Sequence, residues 1–246
     1  MKLAPKCERQ NILHLSYRMS AKMTDILSMS TNCNANPICQ ARSKIKGSIC
    51  EHCFAASTLS HYTSLDENTL SNFWILTTSE LSNSDCEKIA LEIVSACRKN
   101  GTHEFRLESF GDLANVLHAT NYLNILFSLY RVSKRENYKI VCGWWTKNVN
   151  LLVAAYEKLD RAHKSAFHRV CHLLISSMFC NQPIEPAEKE KIEEKLEMPV
   201  SVFTVYEPAY IQDNNVTINC GARSCRSCKR CYSLSHKGEY IREELK

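Results

Sequence analysis

Two hydrophobic periods alternate along the second half of this chain. SDCEKIALEIVSACRKNG (84–101) repeats its apolar residues at helical spacing. Ile89, Ile93, Val94 and Cys97 form the stripe, Ser84 or Asp85 supplies the cap, and Gly101 ends the helix. Residues 61–82 carry a weaker version of the same pattern and also read as a helix. HEFRLESF (103–110), YKIVCGWW (138–145), VCHLLISSM (170–178) and PVSVFTVYE (199–207) read as strands. Helical patterns fill the gaps between them: GDLANVLHATNYLNILFSLYRVSK, TKNVNLLVAAYEKLD and the charged EPAEKEKIEEKLE. Residues 1–60 are rich in Ser, Asn and Thr and read mostly as loop.

Strand–helix alternation predicts βαβ units and a parallel sheet. Four strands are legible, with room for one or two more in the early region. A full eight-stranded barrel takes about 250 residues, and this chain gives much of its length to Cys-rich ends. The expected fold is therefore α/β, a partial (β/α) barrel or open parallel sheet over residues 1–210. It carries a Cys-rich, metal-binding N-terminal loop at 30–56 and a small Cys-rich C-terminal module over residues 211–246.

Composition narrows the class. The chain has 246 residues, 44% of them hydrophobic and 23% charged, which is ordinary for a soluble domain. The first thirty residues hold no apolar run that would serve as a signal-peptide core. No stretch approaches a membrane span, so the expectation is a cytoplasmic protein without membrane contact. The net charge of +5 is compatible with a nucleic-acid partner without arguing for one.

Fourteen cysteines in a reducing compartment are the anomaly. Disulfides are the weakest explanation there, so metal binding comes first. Cys97, Cys142, Cys171 and Cys180 sit in apolar contexts and read as small core residues. Cys7 and Cys86 lie among polar neighbours and carry no signal. The other eight fall into two sets. Cys39, Cys50 and Cys53 are spaced C-x10-C-x2-C, with Cys33 six residues before Cys39. Three thiolates would leave one position open on a four-iron cluster, whereas a fourth, from Cys33, would close the site. Spacing alone leaves zinc and iron–sulfur even. Cys220, Cys225, Cys228 and Cys231 hold two consecutive C-x2-C steps, like the bacterial ferredoxin run. Zinc also fits that spacing. The interleaved Arg223, Arg226, Lys229 and Arg230 read either as cations offsetting thiolates or as a zinc-knuckle-like grip on nucleic acid.

Ligands of parallel sheets bind beyond the carboxyl ends of the strands. That places Arg106, Glu108, Ser109 and Asp112 of FRLESFGDL, and Lys147 of WWTKN, where a polar ligand would lie. Plainer readings stand beside these. Asp112 reads equally as the cap of the next helix, and Arg106 with Glu108 as an internal salt bridge. Ser176, Ser177, Tyr206 and Glu207 end the later strands and fit the same mouth. His52 reads as a loop neighbour of the cysteines. No Walker loop, G-x-S-x-G or H-E-x-x-H occurs.

The ordered set KMTDILSMSTNCNANPIC, ICEHCFA, FRLESFGDL, WWTKN, VFTVYE and INCGARSCRSCKRCYS resembles the phage gene-product-88 family, from about residue 20 to the end. That family looks related to radical S-adenosylmethionine enzymes. The resemblance implies a three-Cys cluster on Cys39, Cys50 and Cys53, and an auxiliary cluster on the C-terminal set. It also implies S-adenosylmethionine held with help from Glu108 or Asp112, and a reductant such as flavodoxin or ferredoxin. The usual radical-enzyme spacing is C-x3-C-x2-C, and here the first gap is ten residues. Two [4Fe–4S] clusters in a radical S-adenosylmethionine-like, phage-related protein are the first expectation. A zinc-binding nucleic-acid module and an electron-transfer iron–sulfur protein are the alternatives.

Overall fold

The computed structural model describes residues 13–16, 23 and 26–245. Its centre is one seven-stranded sheet whose spatial order follows the chain. β1 (Leu15–Ser16) pairs antiparallel with β2 (Leu27–Met29). From there every neighbouring pair is parallel: β3 (Glu104–Leu107), β4 (Val141–Thr146), β5 (Cys171–Ser176), β6 (Ser201–Tyr206) and β7 (Tyr240–Glu244). Sequential order is the winding of a barrel wall rather than of a doubly wound sheet. β1 and β7 are its two edges. This is the mostly parallel α/β sheet that the alternation predicts.

Helices fill the crossovers. α1 (Pro37–Arg42), α2 (Phe54–His61), α3 (Thr63–Thr78) and α4 (Asn83–Lys99) lie between β2 and β3. α5 (Val116–Arg135) follows β3, and α6 (Val149–Tyr156) with α7 (Arg161–Val170) follows β4. α8 (Pro186–Leu196) follows β5. α9 (Pro208–Asn214) and the single turn α10 (Cys225–Cys228) come before β7. Residues 211–246, expected as an appended module, thus end in a strand of the main sheet.

The strand period of two divides the sheet's faces. Phe105, Leu107, Cys142, Trp144, Cys171, Leu173 and Ile175 face the helices and join Ile89, Ile93, Leu126 and Leu129 in the main core. Trp145, Leu174 and Ile241 cluster instead with Tyr232 of the C-terminal segment. So the last stretch of chain covers the concave face of the sheet. Gly143 makes that possible. A Cβ there would stand 2.9 Å from the Cys231 carbonyl oxygen and 2.9 Å from the Tyr232 ring.

Several expectations need correction. Most of the described residues up to 60 lie outside helices and strands, as expected, but the stretch also contains β1, β2, α1 and the start of α2, which the sequence reading did not separate. These elements are too short to show a period, and β2 is buried at all three positions. α9 and β7 went unread for the same reason; α7, ten residues long with Ala166, Phe167 and Val170 buried, shows a period and was missed. α4 is capped by Ser82, whose side chain accepts from the Asp85 amide, not by Ser84 or Asp85. Cys97, Cys142 and Cys171 are core residues as expected, Cys86 is buried too, and Cys180 is only half-buried. Cys7 lies outside the described residues. Among those described, no helix is long and apolar enough to cross a membrane.

Candidate functional site

At the carboxyl ends of the strands lies a cavity of about 500 Å3. The loop of the first cysteine set forms one wall. Asn36 starts α1: its side-chain oxygen accepts from the Ile38 amide, and its side-chain nitrogen donates to the Asp112 carbonyl at 2.7 Å. Cys39 sits on this short helix. The return stretch is pinned to the end of β5 by the Ile49 amide donating to the Met178 carbonyl at 3.1 Å. Cys50 lies in the next turn, and Cys53 is the N-cap of α2.

All four thiols of this set come together. Cys33 hydrogen-bonds to Cys53, which pushes the Cys33 pKa far up, helped by burial, while the Cys53 pKa is drawn down to about 6. The amides of Ala56 and Ala55 at the start of α2, and Lys147, favour the Cys53 thiolate further. Cys39 is pushed well up by burial and by the nearby carboxylates of Asp112 and Glu108. Cys50 is raised by burial, partly offset by Lys147. Cys33 therefore stands with the other three rather than apart from them.

The second set comes to the same cavity from the C-terminal segment. Cys225 and Cys228 bracket the single turn of α10, which Lys229 ends in the left-handed region at φ 54°. Cys231 sits in the following 3-10 turn, Arg230–Tyr232. Burial raises its thiol strongly, and the proximity of Cys220, Cys225 and Cys228 raises it further, with Arg106 opposing. Cys220, Cys225 and Cys231 line the same cavity as the first set; Cys228 is exposed. The interleaved cations fasten this segment to the protein. Lys229 pairs with the buried Glu104 at 2.8 Å, Arg226 donates to the Gly101 carbonyl at 3.3 Å, and Arg230 reaches Glu239 at 3.5 Å.

Tyr206, expected at this mouth, does not line the cavity, whereas Arg106, Glu108, Ser109, Asp112 and Lys147 all do. Their oxygens are heavily engaged. Glu108 ends β3 at φ 57°, a region uncommon for residues other than glycine. That bend points its carboxylate at Thr31, whose amide and hydroxyl donate to it, and at the Tyr122 hydroxyl, which donates at 2.8 Å. His118 Nε2 stands 3.3 Å away. Asp112 accepts from the Thr146 hydroxyl at 2.6 Å, the Lys147 amide at 3.0 Å and Arg42 at 3.2 Å. Asp112 is not the cap of α5; Asn115 is, accepting from the His118 amide. Nor do Arg106 and Glu108 form a salt bridge. Arg106 lies over the Trp145 ring, 3.8 Å from its centre. Of the remaining strand-end residues, Ser176 lines the cavity; Ser177 bonds Thr204 and Glu207 bonds Asn181 instead. His52 is exposed at the rim. Two residues that the sequence reading missed belong here: Arg42, which ties α1 to Asp112, and Gly143. An isolated Gly inside the YKIVCGWW strand is a signal of close backbone approach.

Crowded thiols resist losing their protons, because each new thiolate repels the others. A bound metal reverses this and deprotonates its ligands outright. Soft, all-sulfur donors beside Lys147 and Arg106 suit zinc or an iron–sulfur cluster, not magnesium or calcium. Among the described residues, no group of three or more His, Cys, Asp or Glu side chains is arranged to hold a single metal ion. A cluster places its thiolates farther apart than one ion does.

No family model matches this chain, and no curated protein matches it. A solved structure described as a candidate phosphonomutase from Burkholderia cenocepacia J2315 aligns over 90% of this chain and 79% of its own, at 14% identity and a TM-score of 0.36. A likeness that loose says nothing about this site.

Proposed function

We propose that this protein is an iron–sulfur protein of the radical S-adenosylmethionine-like kind. Its first [4Fe–4S] cluster would be held by Cys39, Cys50 and Cys53, and its second by Cys220, Cys225, Cys228 and Cys231. The observation that carries this reading is the convergence of both cysteine sets on one cavity at the carboxyl ends of parallel strands. Thiolates there would surround a ligand from two sides. When bound, a cluster with an open iron supplies an electron and a coordination position to S-adenosylmethionine.

The chain's own residues do the rest. Lys147 favours the thiolates of Cys50 and Cys53, and Arg106 that of Cys231. In this reading Cys39, Cys50 and Cys53 are the ligands and Cys33, held against Cys53, is a neighbour of the cluster rather than a fourth ligand. Glu108 and Asp112 fix the walls through their hydrogen bonds rather than offering free oxygens. The test is an electron paramagnetic resonance spectrum of the reduced protein, prepared without oxygen, with and without S-adenosylmethionine. A shifted cluster signal supports the open iron; an unchanged one sinks it.

A second reading rests on the nearness of Cys33 to the other three thiols. If Cys33 is a ligand, the first site is closed, as in a zinc site or an electron-transfer cluster. Cys33→Ala would then cost metal at that site, whereas the first reading has the metal retained. A nucleic-acid role would rest on the basic C-terminal segment, and salt-sensitive binding to DNA or RNA would be its sign.

A further inference from the structure

Arg106 carries a charge that no carboxylate on the cavity balances. One terminal nitrogen reaches the Met23 sulfur at 3.1 Å, a weak acceptor, and the guanidinium plane rests on Trp145. Its Nε is buried without a hydrogen-bond partner. Among the described residues no carboxylate pairs with it, because Glu108 and Asp112 are committed elsewhere. Beside it the Tyr232 hydroxyl is also buried, on a side chain 3% exposed, close to the guanidinium but without a well-formed hydrogen bond. The Ser109 hydroxyl, on the same cavity, is a third such group. A buried donor left without an acceptor is costly, so the three together call for an acceptor. A guanidinium presents a planar fork suited to a carboxylate or a phosphate. The neighbouring walls are Phe110, Trp145 and Phe203, which suit an apolar body.

We infer that this cavity takes an organic anion, a carboxylate or phosphate ester on an apolar or aromatic body, with its anionic group on Arg106 and Tyr232. The site needs only these side chains and stands whichever metal the thiols carry. The competing role for Arg106 is to offset the charge of the second cysteine set.

Calorimetric titration of the full chain with benzoate, phenyl phosphate and the neutral benzamide separates the two. At least one anion should bind at millimolar concentration or below, and benzamide about tenfold more weakly or worse. Arg106→Gln should lose that preference about tenfold, and Arg106→Lys should restore part of it. Should Arg106→Gln fail to fold, Tyr232→Phe and Ser109→Ala should each weaken the anion several-fold. Equal binding of benzoate and benzamide, no binding of either anion, or unchanged affinity in Arg106→Gln would overturn the inference. So would an Arg106→Gln protein that loses metal but not benzoate. Iron and zinc are counted on the same samples, so colourless protein that binds benzoate fails the cluster reading and keeps this one. With the site established, displacement of benzoate by S-adenosylmethionine assigns the anion to that cofactor, and its absence assigns it to a substrate.

Discussion

Arg42 and Asp112 form an ion pair of 3.2 Å that joins the loop of the first cysteine set to the turn after β3. Asp112 also holds the Thr146 hydroxyl and the Lys147 amide at the end of β4. One carboxylate thus ties together three pieces of the cavity wall. Asp112→Ala should therefore cost roughly 1–3 kcal/mol in urea denaturation, since it strands several buried donors. Arg42→Met should cost less, because Asp112 keeps its other partners. Equal or reversed costs would contradict this arrangement.

Gly143 lets the backbone of the second cysteine segment press against β4. Gly143→Ala forces a methyl group toward the Cys231 carbonyl and the rings of Tyr232 and Trp145. Overpacking of this kind costs about 1–3 kcal/mol. The strain falls on the second set, so metal bound there should drop while the first set keeps its share. Site-resolved spectra of the variant check this; loss at both sets alike would speak against it.

His172 is completely buried, its Nε2 at 2.8 Å from the Ser201 hydroxyl. Burial first, and Lys237 next, depress its pKa from 6.5 to about 4. The folded state then prefers neutral His172, while the unfolded chain takes up a proton below about 6.5. The stability this adds is fully present above pH 6.5 and is lost as pH falls toward 4. The move from 6.5 to about 4 is worth roughly 3 kcal/mol across that window. His172→Gln should flatten the stability curve across that window, and denaturation midpoints from pH 4 to 7 measure it. A slope unchanged by the substitution would rule out this origin.

The sequence made the middle of the molecule legible and its ends much less so. β3 to β6 alternate with long amphipathic helices, so their periods survive in the sequence. β2 has three residues, all buried, and α10 a single turn; neither is long enough to show a period. The cysteines stood out by spacing, and Arg106, Glu108, Ser109, Asp112 and Lys147, placed by reading at the strand ends, line the cavity. Their partners were not legible. The engagement of Glu108 by Thr31 and Tyr122 spans 77 and 14 residues, and no local pattern encodes it. The meeting of both cysteine sets on one cavity depends on the tail folding across the sheet face. Only Gly143 hinted at that.

Cys228 is the exposed member of its set, and Cys50 is half-buried. Replacing either should not disturb the core, so both are clean probes of ligation. Cys50→Ala should remove the metal of the first set alone, and Cys228→Ala should weaken only the second. Metal analysis of the two variants checks the division; full iron content at the first site in Cys50→Ala would refute its assignment.

Iron, zinc and acid-labile sulfide counted on wild-type protein purified without oxygen, with an absorption spectrum, bear most directly on the central claim. Two four-iron clusters predict about eight irons and as many sulfides per chain, and a brown protein with a broad band near ~400 nm. A colourless protein with about two zincs and no sulfide would contradict it.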